Sequence, residues 1–150
     1  MYNNIALLIG HFVGDYLFQN HKMAVEKSEP TIRGWYYCML HCIVYSLCVS
    51  FFVVLAGWHS VEHATNWGKI GNYIPDLVIV FLIAYITHFP IDRWSLASKW
   101  MKIIKQTGME LIENPHMISP RSFFVAPVYI AVDNTMHIVL MWLLLSWLGK

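Results

Sequence analysis

The chain has 150 residues, of which 57% are hydrophobic and 13% are charged, about half of the ~25% charged residues usual in soluble domains. So apolar a composition excludes an ordinary soluble domain and favours an integral membrane protein forming a single domain over residues 1–150. The net charge of +1 provides no basic surface for nucleic acid, which we therefore exclude as an expected partner.

Four apolar segments have the length of membrane-spanning helices, for which about 17–25 residues are needed. They cover roughly residues 4–20, 35–58, 73–94 and 127–148. Residues 95–113 between the last two carry an apolar stripe with lysines largely outside it, which predicts a helix lying in the membrane interface. A plain cytoplasmic connector helix is the alternative. The predicted fold is an all-α integral membrane bundle of four transmembrane helices plus one interfacial amphipathic helix.

The basic residues of the connecting segments indicate how the bundle is oriented. Eight basic residues lie in the segments that follow the first and third spans: Lys22, Lys27, Arg33, Arg93, Lys99, Lys102, Lys105 and Arg121. The loop after the second span and the C-terminus carry only Lys69 and Lys150. Cytoplasmic loops are enriched in lysine and arginine. We therefore expect a multi-pass protein with both termini on the non-cytoplasmic side and its basic loops in the cytoplasm.

Polar residues recur in the apolar segments with one spacing. Pairs of histidine and aspartate lie four residues apart in three of the spans, and His41 stands in the remaining one; the pairs are His11 and Asp15, His88 and Asp92, and Asp133 and His137. A spacing of four places both members of a pair on one helical face. Ionisable residues inside a membrane are costly and usually face the protein interior.

The predicted depths of these residues coincide. At about 1.5 Å of rise per residue, all of them fall within roughly 2–16 Å of the cytoplasmic ends of their helices. Imidazole and carboxylate are ligands of zinc, manganese and iron, so the layer predicts one or two divalent metal ions, with zinc as the first choice. The predicted ligands are His11, Asp15, His88, Asp92, Asp133 and His137. A proton or ion path and a purely structural packing network are the alternatives.

The arrangement resembles a known family of small bacterial and phage membrane proteins, the domain of unknown function 3307 family. The likeness rests on H-x3-D-x3-Q from His11 to Gln19, then a lysine, a histidine in the second span, H-x3-D ending the third and D-x3-H in the fourth. Two positions depart from the usual pattern: Asn134 stands where the family has glutamine, and Arg93 where lysine is common. The resemblance implies a bacterial inner-membrane location.

A looser resemblance links the chain to SOS-regulated membrane-bound metal-dependent hydrolases. It implies a metal-activated water and a lipid-like or membrane-associated substrate at the lipid–water boundary. His41 would be a ligand or a proton carrier, and Gln19 and Lys22 would orient the substrate. Ion translocation, or a phage or host membrane factor acting through partner contact, is the non-enzymatic alternative. Self-association is expected because a bundle of four spans is small.

Three other features have mainly structural interpretations. The stretch HSVEH at residues 59–63 matches the H-x-x-E-H pattern of some zinc peptidases, but no third ligand lies nearby, and surface histidines are the preferred interpretation. Cys38 and Cys42 flank His41 and are expected to pack as free thiols. Gly10 and Gly14 form G-x-x-x-G, which permits close approach of two helices.

Overall fold

The structure, a computed structural model, describes residues 4–60, 70–104 and 122–148, with side chains within 4–56, 74–104 and 125–147. All regular elements in these ranges are helical. They are α1 (Asn4–Phe12), a π-helical turn (Val13–Leu17), α2 (His21–Glu26), α3 (Ile32–Ser60), α4 (Ile70–Arg93), α5 (Leu96–Ile103) and α6 (Ser122–Leu148). The all-α prediction is confirmed for this part of the chain.

Three of the helices are long and apolar enough to cross a membrane, over Ile32–Ala56, Ile74–Arg93 and Val125–Trp147. They coincide with the second, third and fourth predicted spans. Large apolar side chains such as Leu47, Phe51, Leu82 and Ile86 point away from the protein on these helices. An apolar outer face of this kind is compatible with surrounding lipid.

The first predicted span is a shorter element. Its apolar helix covers Asn4–Leu17, which at 1.5 Å per residue is about 21 Å long, against roughly 30 Å for the hydrocarbon core of a bilayer. The last five of these residues, Val13–Leu17, form the π turn, and a bend at Phe18 follows. The described residues therefore contain three helices of spanning length and one shorter apolar helix, which the π turn and the bend end early.

Helix α1 lies directly against α3 because two glycines allow it. A Cβ atom added at Gly10 would stand 2.7 Å from the Val49 Cα, and one at Gly14 would stand 2.9 Å from the Tyr45 Cδ2. Both separations are shorter than a carbon–carbon contact permits. The G-x-x-x-G pattern thus acts in helix packing, as predicted, and it brings the π turn beside α3.

The larger of two buried apolar clusters in the described part of the chain lies mostly on the side of the bundle away from the polar residues, and a smaller one is formed by Met101 and Val125. The buried side chains of the larger cluster come from α1, α3, α4 and α6 and include Leu7, Val49, Val80, Met141 and Leu145. Helix α5 packs against α4 and α6 and buries Ala97 and Met101. It lies within the predicted amphipathic helix of residues 95–113 but ends at Ile103, and Ile104 follows in a turn.

Three predicted features lie at least partly outside the described residues. They are the HSVEH side chains, the remainder of the predicted interfacial helix after residue 104, and the loops that carry Lys69, Lys105 and Arg121.

Candidate metal centre

The described helices bring six of the predicted polar residues together in the half of the bundle where α4 ends and α3 and α6 begin, called the polar end below. Because α6 begins at Ser122, His137 lies about 22 Å from the start of its helix at 1.5 Å per residue, deeper than the sequence predicted. Three overlapping groups of side chains there could each hold a metal ion, and within each group one ligand atom per residue lies within 4.8 Å of the others. The groups are Asp15, His88 and His137; His41, His88 and Asp92; and Asp92, Asp133 and His137.

The tightest group is formed by His41, His88 and Asp92. The two histidine Nε2 atoms are 2.9 Å apart, and each lies 3.1 Å from the Asp92 Oδ2. Ligand atoms bound tetrahedrally at about 2.0–2.1 Å from zinc stand roughly 3.3 Å from one another. The three atoms therefore form a triangle of nearly the size that one metal ion requires, and all three residues are almost fully buried.

Asp92 also faces a second group with its other oxygen. Its Oδ1 lies 3.5 Å from the His137 Nε2, which in turn is 3.8 Å from the Asp133 Oδ2. One carboxylate thus contacts two different sets of ligand atoms. Asp133 is the most exposed of the three carboxylates, at 23%, against 11% for Asp15 and 3% for Asp92.

Helix α4 can present His88 and Asp92 together because Pro90 does not interrupt it. The helix continues to Arg93, and the Trp94 amide donates to the Pro90 carbonyl at 3.2 Å. The two ligand-type residues therefore stay one helical turn apart on one face.

Asp15 enters the cluster from the π turn. Its Oδ1 lies 3.2 Å from the His41 Nε2 and 3.4 Å from the His88 Nε2. Neither contact satisfies hydrogen-bond geometry, so the Asp15 Oδ1 is buried without a hydrogen-bond partner among the described residues. The His137 Nε2 is likewise buried without one. Buried polar atoms are rarely left unpaired, and bound cations would satisfy these two atoms.

His11 lies behind Asp15 and outside the three groups. Its Nε2 is 2.6 Å from the Asn134 Oδ1, its Nδ1 is 3.0 Å from the Tyr45 hydroxyl, and the same Nδ1 lies 3.4 Å from the Asp15 Oδ2. The Asn134 amide nitrogen donates to the Tyr16 hydroxyl and to the Ile130 carbonyl, which leaves the Asn134 oxygen to accept from His11. In a neutral imidazole the His11 Nδ1 then accepts from Tyr45.

The predicted substrate-orienting residues occupy different positions. The Gln19 amide nitrogen is 3.1 Å from the His41 Nε2, so Gln19 borders the cluster. Lys22 is exposed on α2. Lys27, just after α2, instead reaches the cluster and donates to the Asp92 Oδ2 at 2.7 Å. Burial opposes the charge of Lys27, but attraction by the Asp92 and Asp15 carboxylates outweighs it and raises the pKa of Lys27.

The Arg93 side chain holds the connection after α2 in place. Its Nη1 donates to the backbone carbonyls of Lys27 and Glu29, at 3.3 and 2.8 Å. Its guanidinium carbon stands 4.7 Å from the centre of the Trp35 ring. Arg93 therefore fixes the segment that delivers Lys27 to Asp92.

Sequence reasoning did not assign a site role to Lys27, Tyr45 or Asn134. Tyr45 is fully buried and stacks on the His88 ring, with ring centres 3.6 Å apart. Its position four residues after His41 is the one signal that the sequence offers, because that spacing places both on one face of α3. Lys27 comes after the bend at Phe18, so its distance in sequence from the other site residues does not indicate a shared helical face.

Comparison with known proteins identifies a family and no activity. The family described as "Protein of unknown function (DUF3307)" matches residues 4–149, which confirms the resemblance to that family drawn from the motifs. Neither the curated proteins nor the solved structures contain a match to the chain.

Proposed function

The chain belongs to the family of proteins of unknown function DUF3307, and because membership assigns no activity, we propose a function from the site itself. We propose that the protein is a membrane-embedded, metal-dependent hydrolase with two divalent cations at the polar end. The observation that carries this proposal is the position of Asp92, whose two oxygens contact two different sets of ligand atoms. A carboxylate that bridges two ions is a natural feature of two-metal hydrolytic sites.

The proposed ligand sets follow from the distances. The first ion would be held by His41, His88 and the Asp92 Oδ2, and the second by the Asp92 Oδ1, Asp133 and His137. Asp15 would complete the first set, since its Oδ1 lies beside both histidines. Zinc is the first candidate because neutral imidazole and carboxylate are its usual ligands, with manganese and iron as alternatives.

His11 receives a supporting role in this proposal. Both of its ring nitrogens contact protein groups, and its Nδ1 lies beside Asp15. Because a neutral His11 accepts from Tyr45 at Nδ1, it donates no hydrogen bond to Asp15. Its ring, held by Asn134 and Tyr45, instead limits the space that the Asp15 carboxylate can occupy. We therefore propose that His11 positions Asp15 and is not itself a metal ligand, although the sequence predicted that role.

The chemistry proposed for the site is hydrolysis of a lipid-like substrate. Metal ions at this position would activate a water and polarise a phosphoryl or acyl oxygen. Gln19 borders the first ligand set, and Lys27 could bind an anionic substrate group after a metal takes over Asp92. By the charge of the loops we place the site near the cytoplasmic face.

Ion translocation receives less support from the packing. Between the cluster and the other end, the described interior is filled by apolar side chains such as Val49, Val80 and Met141. The buried polar groups nearest to this core on α3 are the hydroxyls of Ser46 and Ser50, which do not titrate in the physiological range. A proton or ion path through the bundle would need a longer series of polar groups.

The test is elemental analysis followed by an activity screen. Protein purified in mild detergent is equilibrated with zinc, manganese or iron(II), freed of unbound ions and analysed beside Asp92→Asn. Asp76→Asn serves as the control, because Asp76 is an exposed aspartate on the same helix. Two ions per chain in the wild type and control, none in Asp92→Asn, and metal-dependent hydrolysis of phospholipids or phosphoesters are expected. A wild type without stoichiometric metal would overturn the proposal.

A further inference from the structure

An apolar groove runs along the outer side of the bundle between α4, α5 and α6. Its volume is about 670 Å³, within the ~300–1,000 Å³ range of ligand pockets. The described wall contains one charged residue, Lys99, and one hydroxyl, that of Thr135. Because the Thr135 hydroxyl already donates to the Ala131 carbonyl at 2.7 Å, the polar groups that the described wall offers to a ligand are the Lys99 ammonium group and the Trp100 indole N–H.

The dimensions of the groove match a hydrocarbon chain. On α6 its lining extends from Thr135 to Leu143, which is about 12 Å along a helix axis at 1.5 Å per residue. The hydrocarbon layer of one leaflet is about 15 Å, half of the ~30 Å core. The groove therefore follows a helix over most of the depth of one leaflet.

The single charged residue of the described groove wall is Lys99. Lys99 lies on α5, which follows the polar end of α4, and its side chain is exposed. A lysine at the boundary of an apolar groove complements the phosphate of an anionic lipid, since its stem packs on apolar surface while its ammonium group reaches the headgroup layer. A zwitterionic headgroup carries a phosphate beside its own cation and would gain less from this charge.

The groove also adjoins the candidate metal centre. Met136 lines the groove and follows Asp133 by three residues, so the two lie on neighbouring parts of one face of α6. Ile91 lines the groove and directly precedes Asp92. Asp133 is the most exposed carboxylate of the cluster, and the cluster is therefore most open near the groove.

We propose that this groove binds one acyl chain of an anionic phospholipid, with the headgroup phosphate at Lys99 and its ester region beside Asp133. As a statement about substrate this rests on the proposed function, whereas binding of the lipid does not depend on turnover. The groove would then select substrates by chain and charge, and the metal centre would act on the bond that the bound chain places beside it.

The test uses phosphatidylglycerol with a photoreactive group near the middle of one acyl chain. Protein reconstituted in vesicles containing this probe is irradiated, and the labelled residues are mapped by mass spectrometry. Labelling is expected to concentrate at Met136, Val139, Leu140 and Leu143. Leu140→Trp, which fills the groove, and Lys99→Gln are expected to reduce it at least fivefold.

Matched controls separate a specific site from the general lipid contact of a membrane protein. Leu82→Trp adds the same ring to an exposed position of α4 outside the groove lining, and Lys102→Gln removes a charge from the same helix as Lys99. Neither is expected to change the labelling. Equal labelling of outward residues such as Leu47 and Phe51, or equal labelling by phosphatidylcholine, would overturn the proposal.

Other outcomes are equally distinguishable. If groove labelling is strong but no metal-dependent hydrolysis is found, the lipid site stands and the hydrolase proposal fails. If hydrolysis occurs without groove labelling, the acyl-chain assignment fails alone. If crosslinking instead joins two chains through the groove and Leu140→Trp abolishes the dimer, a second copy occupies it and the lipid proposal is overturned.

Discussion

The ammonium group of Lys27 lies 2.7 Å from the Asp92 Oδ2, although the two residues are 65 positions apart. The same oxygen is 3.1 Å from both His41 and His88. Lys27 therefore supplies positive charge at the place where a metal ion would bind, and a metal ion and Lys27 would compete for Asp92.

Lys27→Met is expected to destabilise the metal-free protein and to increase the stabilisation that metal confers. Removing a hydrogen bond to a charged group costs about 1.5–3 kcal/mol, and Asp92 would be left without its cationic partner. Metal binding would then restore more stability in the variant than in the wild type. Melting temperatures with and without zinc, followed by tryptophan fluorescence, measure both effects.

The control for this prediction is Lys22→Met, which removes an exposed lysine from the same segment and is expected to leave the melting temperature unchanged. The raised pKa of Lys27 determines the pH range in which its contact with Asp92 stabilises the folded protein. Its stabilising contact is fully present below the unfolded value of about 10.4 and is lost as pH rises through the higher folded value. Identical melting temperatures for Lys27→Met and wild type at pH 7 would contradict a role for this contact.

Asp133→Asn and Asp92→Asn are expected to differ in metal content. Asp92 contacts both ligand sets, whereas Asp133 contributes to one. Asp133→Asn should therefore retain about one ion per chain and Asp92→Asn should retain none, measured by elemental analysis of equally folded samples. Equal loss in both variants would instead indicate a single ion, with Asp133 and Asp92 as joint ligands.

Asn134→Leu is expected to weaken metal binding without removing a ligand. The His11 Nε2 would lose its 2.6 Å partner, and His11 would no longer be held beside Asp15. Loss of an outer-shell contact typically costs about 10–100-fold in metal affinity, which a competition titration with a chelating dye can measure. Asn134→Gln keeps the amide, so its affinity should stay within a few-fold of the wild type.

The long apolar helices could be predicted from composition and the length of the apolar segments, and the pairing of polar residues within a helix could be predicted from helical periodicity. Pairs four residues apart, such as His88 and Asp92, must share a face of any regular helix, and the structure brings them together with His41 and His137. Their role as metal ligands stays a prediction. The spacing rule gives no position for residues that lie beyond a break in the helix.

The features that sequence reasoning missed all depend on such breaks or on contacts distant in sequence. The π turn and the bend at Phe18 shorten the first apolar helix, and no residue pattern indicates a π turn. Lys27 reaches Asp92 only because this bend redirects the chain and Arg93 holds the Lys27 carbonyl. Tyr45 lies in an apolar stretch of the sequence, like many tyrosines in membrane proteins. Its contact with His11 joins α1 to α3 across 34 residues, which helical periodicity within one segment does not predict.

Gly10→Ala is expected to reduce both stability and metal content, because α1 positions the π turn that carries Asp15. The new Cβ would stand 2.7 Å from the Val49 Cα, a backbone atom that cannot move aside, so α1 must shift away from α3. Overpacking of this kind costs about 1–3 kcal/mol, and the shift withdraws Asp15 from His41 and His88. Ile9→Ala changes an exposed neighbour on the same helix and should preserve both melting temperature and metal content. Full metal content in Gly10→Ala would show that the close contact between α1 and α3 does not position Asp15 for metal binding.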